Sequence, residues 1–174
     1  MKGVIVLCLQ DVVKEKFGEN VWKETLTEAG LEPNTRFLPA QDIDDQAIMG
    51  VIGSLCKVLN ISLQQAADVF GEYWVCTYAP KLYGIYFKKA HSAKELLLNM
   101  DKVHEITTKN VKNAKPPRFD YEWENDKTLI MTYKSERGLI DILVGLVKGT
   151  GVYYKEALDV KKIADNKVRI VFSN

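Results

Sequence analysis

The side chains with the most chemistry in this chain sit at His104 and at residues 133–137. Leu97, Met100, His104, Thr107 and Val111 recur at three- and four-residue spacing, so the imidazole shares the apolar face of a predicted helix. A neutral imidazole in such a place has one ring nitrogen free for a metal. Downstream runs Tyr133-Lys134-Ser135-Glu136-Arg137. In a strand, residues two apart share a face, so Tyr133, Ser135 and Arg137 point one way and Thr132, Lys134 and Glu136 the other. A phenol, a hydroxyl and a guanidinium form a converging donor set. Arginine grips a carboxylate through two parallel bonds, and charge-assisted bonds contribute about 1.5–3 kcal/mol each.

Each site alone has a plainer reading. His104 could be a core histidine satisfied by a hydrogen bond, and the Tyr-x-Ser-x-Arg run a polar strand end with a surface arginine. Together they meet the two demands of haem: an axial ligand for iron, and donors for two propionates. Haem brings four nitrogens of its own and asks the protein for as little as one ligand. Zinc fits less well. The other histidine, His91, lies at a helix start beside Ser92 and reads as exposed, and two histidines without a cysteine cluster supply a zinc site poorly.

Elements must bring these residues together. Helices are expected over Gly3–Phe17, Glu19–Ala29 and Asp42–Leu59, the last opening on acidic residues that suit a helix N-terminus. Asp42, Asp44 and Asp45 read as partners of that helix dipole rather than as an acidic site. Ser62 with Gln65 makes a capping box for Leu63–Tyr73, and Ser92 with Glu95 makes another for a long helix to about Ala114. Between them, the aromatic stretch Tyr73–Phe87 with Pro80 and Gly84 reads as broken helix and loop. At Lys115-Pro116-Pro117 the pattern turns from helical to mostly β. Two prolines in a row end a helix, and a lobe boundary is expected there. Phe119–Glu124 alternates aromatic and acidic residues as a half-buried strand does, and Asn125-Asp126 turns it into a second strand, Thr128–Ser135. A helix over Gly138–Lys148 is expected to stop at Gly149. Ala157–Ile163 and Lys167–Phe172 make a second hairpin. The fold class is α+β: an N-terminal helical lobe, then a four-stranded antiparallel sheet with a helix against it.

Composition sets the limits. At 174 residues the chain suits one domain or two tightly packed lobes and buries roughly 70% of its unfolded surface without staples. A net charge of +1, from 24 basic and 23 acidic residues, offers no basic excess for nucleic acid or a membrane surface. Cys8, Cys56 and Cys76 are odd in number, widely spaced and without a Cys-x-x-Cys pair, which predicts reduced, mostly buried thiols in a cytoplasmic protein. The apolar run Val4–Leu9 is too short for a signal or a membrane span.

Met1-Lys2-Gly3, Phe70-Gly71, Met100-Asp101-x-x-His104, Pro116-Pro117-Arg118, Tyr133-x-Ser135-x-Arg137 and Leu143-Val144-Gly145-Leu146 together resemble the H-NOX family, the haem–nitric oxide/oxygen binding domains related to the haem domain of soluble guanylate cyclase. The resemblance covers essentially the whole chain. It implies a single haem domain over 1–174, with a helical subdomain over about 1–62, a haem-ligating helix and sheet subdomain over about 63–174, and haem b buried between them. It implies His104 as proximal iron ligand and Tyr133, Ser135 and Arg137 on the propionates. Pro117, Ile5 and Leu146 would press on the porphyrin and distort it. The distal pocket would be formed by Leu9, Trp74 and Ile142. Oxygen-binding members carry a distal tyrosine where this chain has Ile142, which donates no hydrogen bond. Of the three distal residues only Trp74 has a polar donor. Tight binding of NO and CO, with little or no stable O2 complex, is therefore expected.

The resemblance further implies that NO releases His104, relaxes the haem and rotates the lobes. A nearly complete flip between two states needs about 5.5 kcal/mol of differential binding. No kinase, cyclase or chemoreceptor segment follows Asn174, so signalling in trans is expected, to a histidine kinase or a cyclic-di-GMP enzyme, with no catalysis by the chain itself. Rival readings are a haem-free protein-interaction module, an O2 sensor if a tyrosine from 73–86 reaches the pocket, and a haem peroxidase. The last lacks distal acid–base residues at Leu9 and Ile142.

Overall fold

The computed structural model describes residues 1–173. The chain separates into two compact units, Met1–Ala66 and Ala67–Asn174. The division falls inside a helix and not at Lys115-Pro116-Pro117. The prolines do end a helical region, but the helix before them packs on the strand after them, so both belong to one unit.

The first unit holds α1 (Gly3–Phe17), α2 (Glu19–Glu28) and α3 (Asp45–Leu59), with α2 packed on both of its neighbours. Gly18, at φ 94, stops α1 and turns the chain into α2. Asp44 caps α3, its carboxylate accepting from the Ala47 amide at 3.0 Å. The helix therefore starts three residues later than its acidic run implies, and Asp42 pairs with Lys2 instead.

The second unit contains most of α4 (Leu63–Tyr73), a π-helical segment (Trp74–Tyr78), α5 (Ala79–Lys89), α6 (Ala93–Thr108), β1 (Arg118–Asn125), β2 (Thr128–Lys134), α7 (Ile140–Tyr154), β3 (Leu158–Ala164) and β4 (Lys167–Phe172). The strands form one antiparallel sheet in the order β1-β2-β4-β3. Leu129, Met131 and Tyr133 of the central strand β2 and Val168, Ile170 and Phe172 of β4 build the core with Leu97 of α6 and Leu143, Val144 and Val147 of α7.

Four expectations are corrected. The stretch Tyr73–Phe87 is a broken helix, as expected, with a π segment over Trp74–Tyr78 and a kink at Tyr83 (φ -125, ψ 22), but it contains no loop. Proline at 80 has no N–H to give and its ring crowds the carbonyl four residues back; a wide π turn, with the Ala79 amide on the Trp74 carbonyl, carries the helix past it. Helix α6 ends at Thr108, short of Ala114. The Thr107 hydroxyl bonds back to the Val103 carbonyl and that of Thr108 to the His104 carbonyl. Strand β2 ends at Lys134, so Ser135 and Arg137 lie beyond it, Arg137 in a turn. Helix α7 runs through Gly149 to Tyr154, because that glycine is a contact and not a stop. A Cβ built at Gly145 would stand 2.0 Å from the Ala67 carbonyl oxygen, one at Gly71 2.1 Å from the Gly145 carbonyl carbon, and one at Gly149 2.6 Å from the Gly71 oxygen. These three glycines let the α4 and α7 backbones touch.

Candidate functional site

The helix that carries His104 is tied at its start and in its middle. At the start of α6, Ser92 Oγ accepts from the Glu95 amide at 3.1 Å, the Glu95 carboxylate from the His91 amide at 2.7 Å, and Glu156 Oε1 from the Ala93 amide at 3.1 Å. Ser92 caps the helix as expected, but Glu95 reaches back to the His91 amide rather than to the Ser92 amide, and a carboxylate from just after α7 takes the Ala93 amide.

One turn before the histidine, Asp101 accepts from Arg118 Nε at 2.7 Å, from Arg118 Nη2 at 2.6 Å and from the Phe119 amide at 2.9 Å. The Arg118 bond above all holds the Asp101 carboxyl down at about 2. This fork fastens the middle of α6 to the start of β1.

The His104 ring sits with Nδ1 3.0 Å from the Pro117 carbonyl oxygen. A carbonyl only accepts, so Nδ1 carries the proton and Nε2 keeps its lone pair. Burial pulls the imidazole pKa below its ordinary value against the opposing pull of the Pro117 bond and Asp101, which leaves the ring neutral near pH 7. This is the usual arrangement of a metal-binding histidine: one nitrogen oriented by a backbone oxygen, the other free. Among the described residues no group of three or more His, Cys, Asp or Glu is placed to hold a metal ion. A metal at His104 must bring most of its own ligands.

The two sites read from the sequence converge. Phe119 lies between them, its ring 5.5 Å from His104 and 6.2 Å from Tyr133, its cross-strand partner. Tyr133 is buried on the core face of β2. The shared strand face does not extend to Ser135 and Arg137, because β2 has ended; a turn gathers them instead, with the Arg137 amide donating to Ser135 Oγ at 3.3 Å. The Arg137 guanidinium donates to the Lys115 carbonyl. Residues 115–117 thus accept from Arg137 at one end and from His104 at the other.

Ile142 and Leu146 are half-buried one turn apart on α7, and Trp74 opens the π segment, stacked on Phe70 at 5.9 Å and on Tyr78 at 5.5 Å. Leu146, Trp74 and Met100 pack on one cluster with Val75, Phe87 and Leu96, as does Tyr83. Ile5, half-buried, and Leu9, buried, lie on α1 in the other unit. Cys8 is buried and Cys56 and Cys76 half-buried, all as free thiols whose pKa values burial pushes up. The sequence reading passed over Phe119. The aromatic–acidic alternation of β1 was the signal, since it put Phe119 and Tyr121 on the face toward α6.

Comparison with known proteins shows the family and the fold. Residues 2–162 match a family described as Haem-NO-binding. Soluble guanylate cyclase gcy-37 of Caenorhabditis elegans is 29% identical over 168 residues, and gcy-34 of the same organism 28% over 153. These cover 92% and 85% of this chain, but the matched regions are only 23% and 22% of those cyclases. Among solved structures, a Cs H-NOX variant with 4-cyano-L-phenylalanine matches with a TM-score of 0.89 at 27% identity, covering 100% of this chain and 97% of that one. An oxygen-binding H-NOX domain related to soluble guanylate cyclases, in its oxygen complex, matches with a TM-score of 0.83 at 27% identity, covering 100% and 96%.

Proposed function

The chain belongs to the haem-NO-binding family of H-NOX gas-sensor domains, and from that premise we propose that it holds haem b and senses NO, and CO, with little or no stable O2 binding. His104 Nε2 is the proximal ligand. Tyr133, Ser135 and Arg137 bind the propionates, and Pro117, Ile5 and Leu146 pack against the porphyrin and distort it. Bound there, haem would supply an iron able to bind a diatomic gas, with His104 Nε2 as its protein ligand.

The observation that carries this reading is the shared 115–117 segment. Its Pro117 carbonyl orients the imidazole and its Lys115 carbonyl holds the guanidinium. One short stretch of backbone thus sets an iron ligand and a carboxylate donor relative to each other. The neutral, oriented imidazole fits iron ligation, and the donor set of phenol, hydroxyl and guanidinium fits two carboxylates.

The preference for NO over O2 rests on Leu9 and Ile142, whose side chains offer no donor to a partly anionic dioxygen. The Trp74 ring is stacked with Phe70 and Tyr78, which leaves its indole N–H as the single donor among the three distal residues. If signalling works through loss of the His104 bond to iron, α6 and the 115–117 segment, joined through the Pro117 carbonyl, would be the part of the chain released. The chain acts as a sensor in trans on a histidine kinase or a cyclic-di-GMP enzyme and does no catalysis itself. Among the described residues no single helix is long and apolar enough to cross a membrane. The free thiols Cys8, Cys56 and Cys76 fit the proposed cytoplasmic location, and the near-zero net charge offers no basic surface for nucleic acid or a membrane.

Titrating the reduced protein with NO, CO and O2 under absorbance tests the reading. Tight NO and CO complexes and oxidation without a lasting O2 complex in air are expected. A stable oxygenated spectrum would overturn the selectivity, and an absent chromophore the haem.

A further inference from the structure

The α-helical ladder joins each amide to the carbonyl four residues back. In α6 that pairing sets the Asp101 amide against the Leu97 carbonyl. The phenol of Tyr121 sits at this pair. Its hydroxyl donates to the Leu97 carbonyl at 2.8 Å and accepts from the Asp101 amide at 3.3 Å. A side chain that enters the ladder loosens it locally and is a recognised origin of a helix bend.

The bonds around this point divide α6 in two. Before it, Ser92 and Glu156 fasten the helix start, and Leu96 and Leu97 are buried. After it come Asp101, tied to Arg118 and Phe119, and then His104, tied to Pro117. All the partners of the second half lie on residues 117–119, at the head of the strand that carries Tyr121. Tyr121 itself faces Met131 across the ladder to β2, two residues from Tyr133. Burial pushes its hydroxyl up to about 12, so the phenol stays a donor throughout the pH range of a folded protein.

We propose that Tyr121 is a positioning residue that makes the Leu97–Asp101 turn of α6 a hinge and so sets how strongly the His104-bearing half pulls on the iron. This rests on the haem reading given above. Within a helix that runs uninterrupted from Ala93 to Thr108, the phenol shares the Leu97 carbonyl and the Asp101 amide, so this turn is held by a side chain of β1 as well as by the helix itself. Without the hydroxyl the two groups have only each other, which stiffens α6 at this turn and ties His104 more closely to the fixed first half.

Tyr121→Phe removes the hydroxyl and keeps the ring in the core. Tyr154→Phe is the control, because the Tyr154 hydroxyl also donates to a backbone carbonyl, that of Phe87 at 3.0 Å, outside α6. Three proteins are compared: the haem-loaded chain and the two variants. The readouts are the iron–histidine stretching band, the ratio of five- to six-coordinate NO complex, and exchange of the Asp101 amide. Tyr121→Phe is expected to slow Asp101 exchange, shift the stretching band and change the coordination ratio about fivefold, the effect of one hydrogen bond. Tyr154→Phe is expected to lower thermal stability and leave all three readouts at the parent values. If Tyr121→Phe loses stability but keeps the parent band and ratio, or if both variants shift them alike, the hinge is wrong. A parent chain without haem absorbance would instead overturn the haem reading, and the hinge with it.

Discussion

At the scale of single residues, the candidate site is held by two acceptors with different donors. The Pro117 carbonyl selects the His104 tautomer, and the Asp101 carboxylate fastens the turn before it. Asp101 has a folded pKa of about 2 against an ordinary 3.8, so the unfolded chain takes up its proton first as pH falls. The stability it contributes is present above pH 3.8 and is lost as pH drops toward 2. Asp101→Asn is therefore expected to lower the melting temperature at pH 7, with the gap to the parent closing across that window. A gap that stays constant to low pH would mean the carboxylate charge is not what holds Arg118. Part of this was legible in the chain: His104 on an apolar face, and the Tyr-x-Ser-x-Arg run. The Pro117 and Lys115 contacts were not, because backbone carbonyls carry no residue signature. The strand face assumed for Ser135 and Arg137 gave way to a turn, since the two-residue period holds only while the ladder lasts and β2 ends at Lys134.

At the scale of elements, what the sequence specifies locally was readable. The Ser62–Gln65 capping box forms in full and Ser92 caps its helix; the second hairpin turns at Asp165-Asn166 and the first at Asp126-Lys127, one residue past the expected pair. What depends on a distant partner was not. Gly149 reads as a stop until α4 is known to lie against it, and Pro80 reads as a break until the π turn absorbs it. The α4–α7 contact has a direct test. Gly145→Ala would drive a methyl group to 2.0 Å from the Ala67 oxygen. Overpacking outweighs the gain in helix propensity, so a net loss of about 2 kcal/mol and a melting temperature lower by about 4–8 °C are expected. Gly50→Ala, on α3 with nothing within 4 Å, is expected to raise it slightly. Equal responses in thermal melts would show that the backbones do not need to touch.

At the scale of the molecule, in the proposed function α6 and the turn after β2 hold the haem, with the half-buried Ile142 and Leu146 of α7 and Trp74 of the π segment toward the bound gas. Ile142→Tyr puts a hydroxyl on α7 one turn from Leu146. In the reduced protein this variant is expected to gain an O2 complex that lasts in air, which a spectrum before and after aeration checks; a variant that still oxidises at the parent rate would show that Ile142 does not face the gas. The central claim is that His104 is the protein's bond to iron. It is tested most directly by the absorbance spectrum of the purified, reduced protein beside His104→Ala, each with and without added imidazole. The account predicts a strong haem band in the parent, its loss in the variant and its return with imidazole. A band of parent strength in His104→Ala without imidazole, or none in the parent after expression with ample haem, would contradict it.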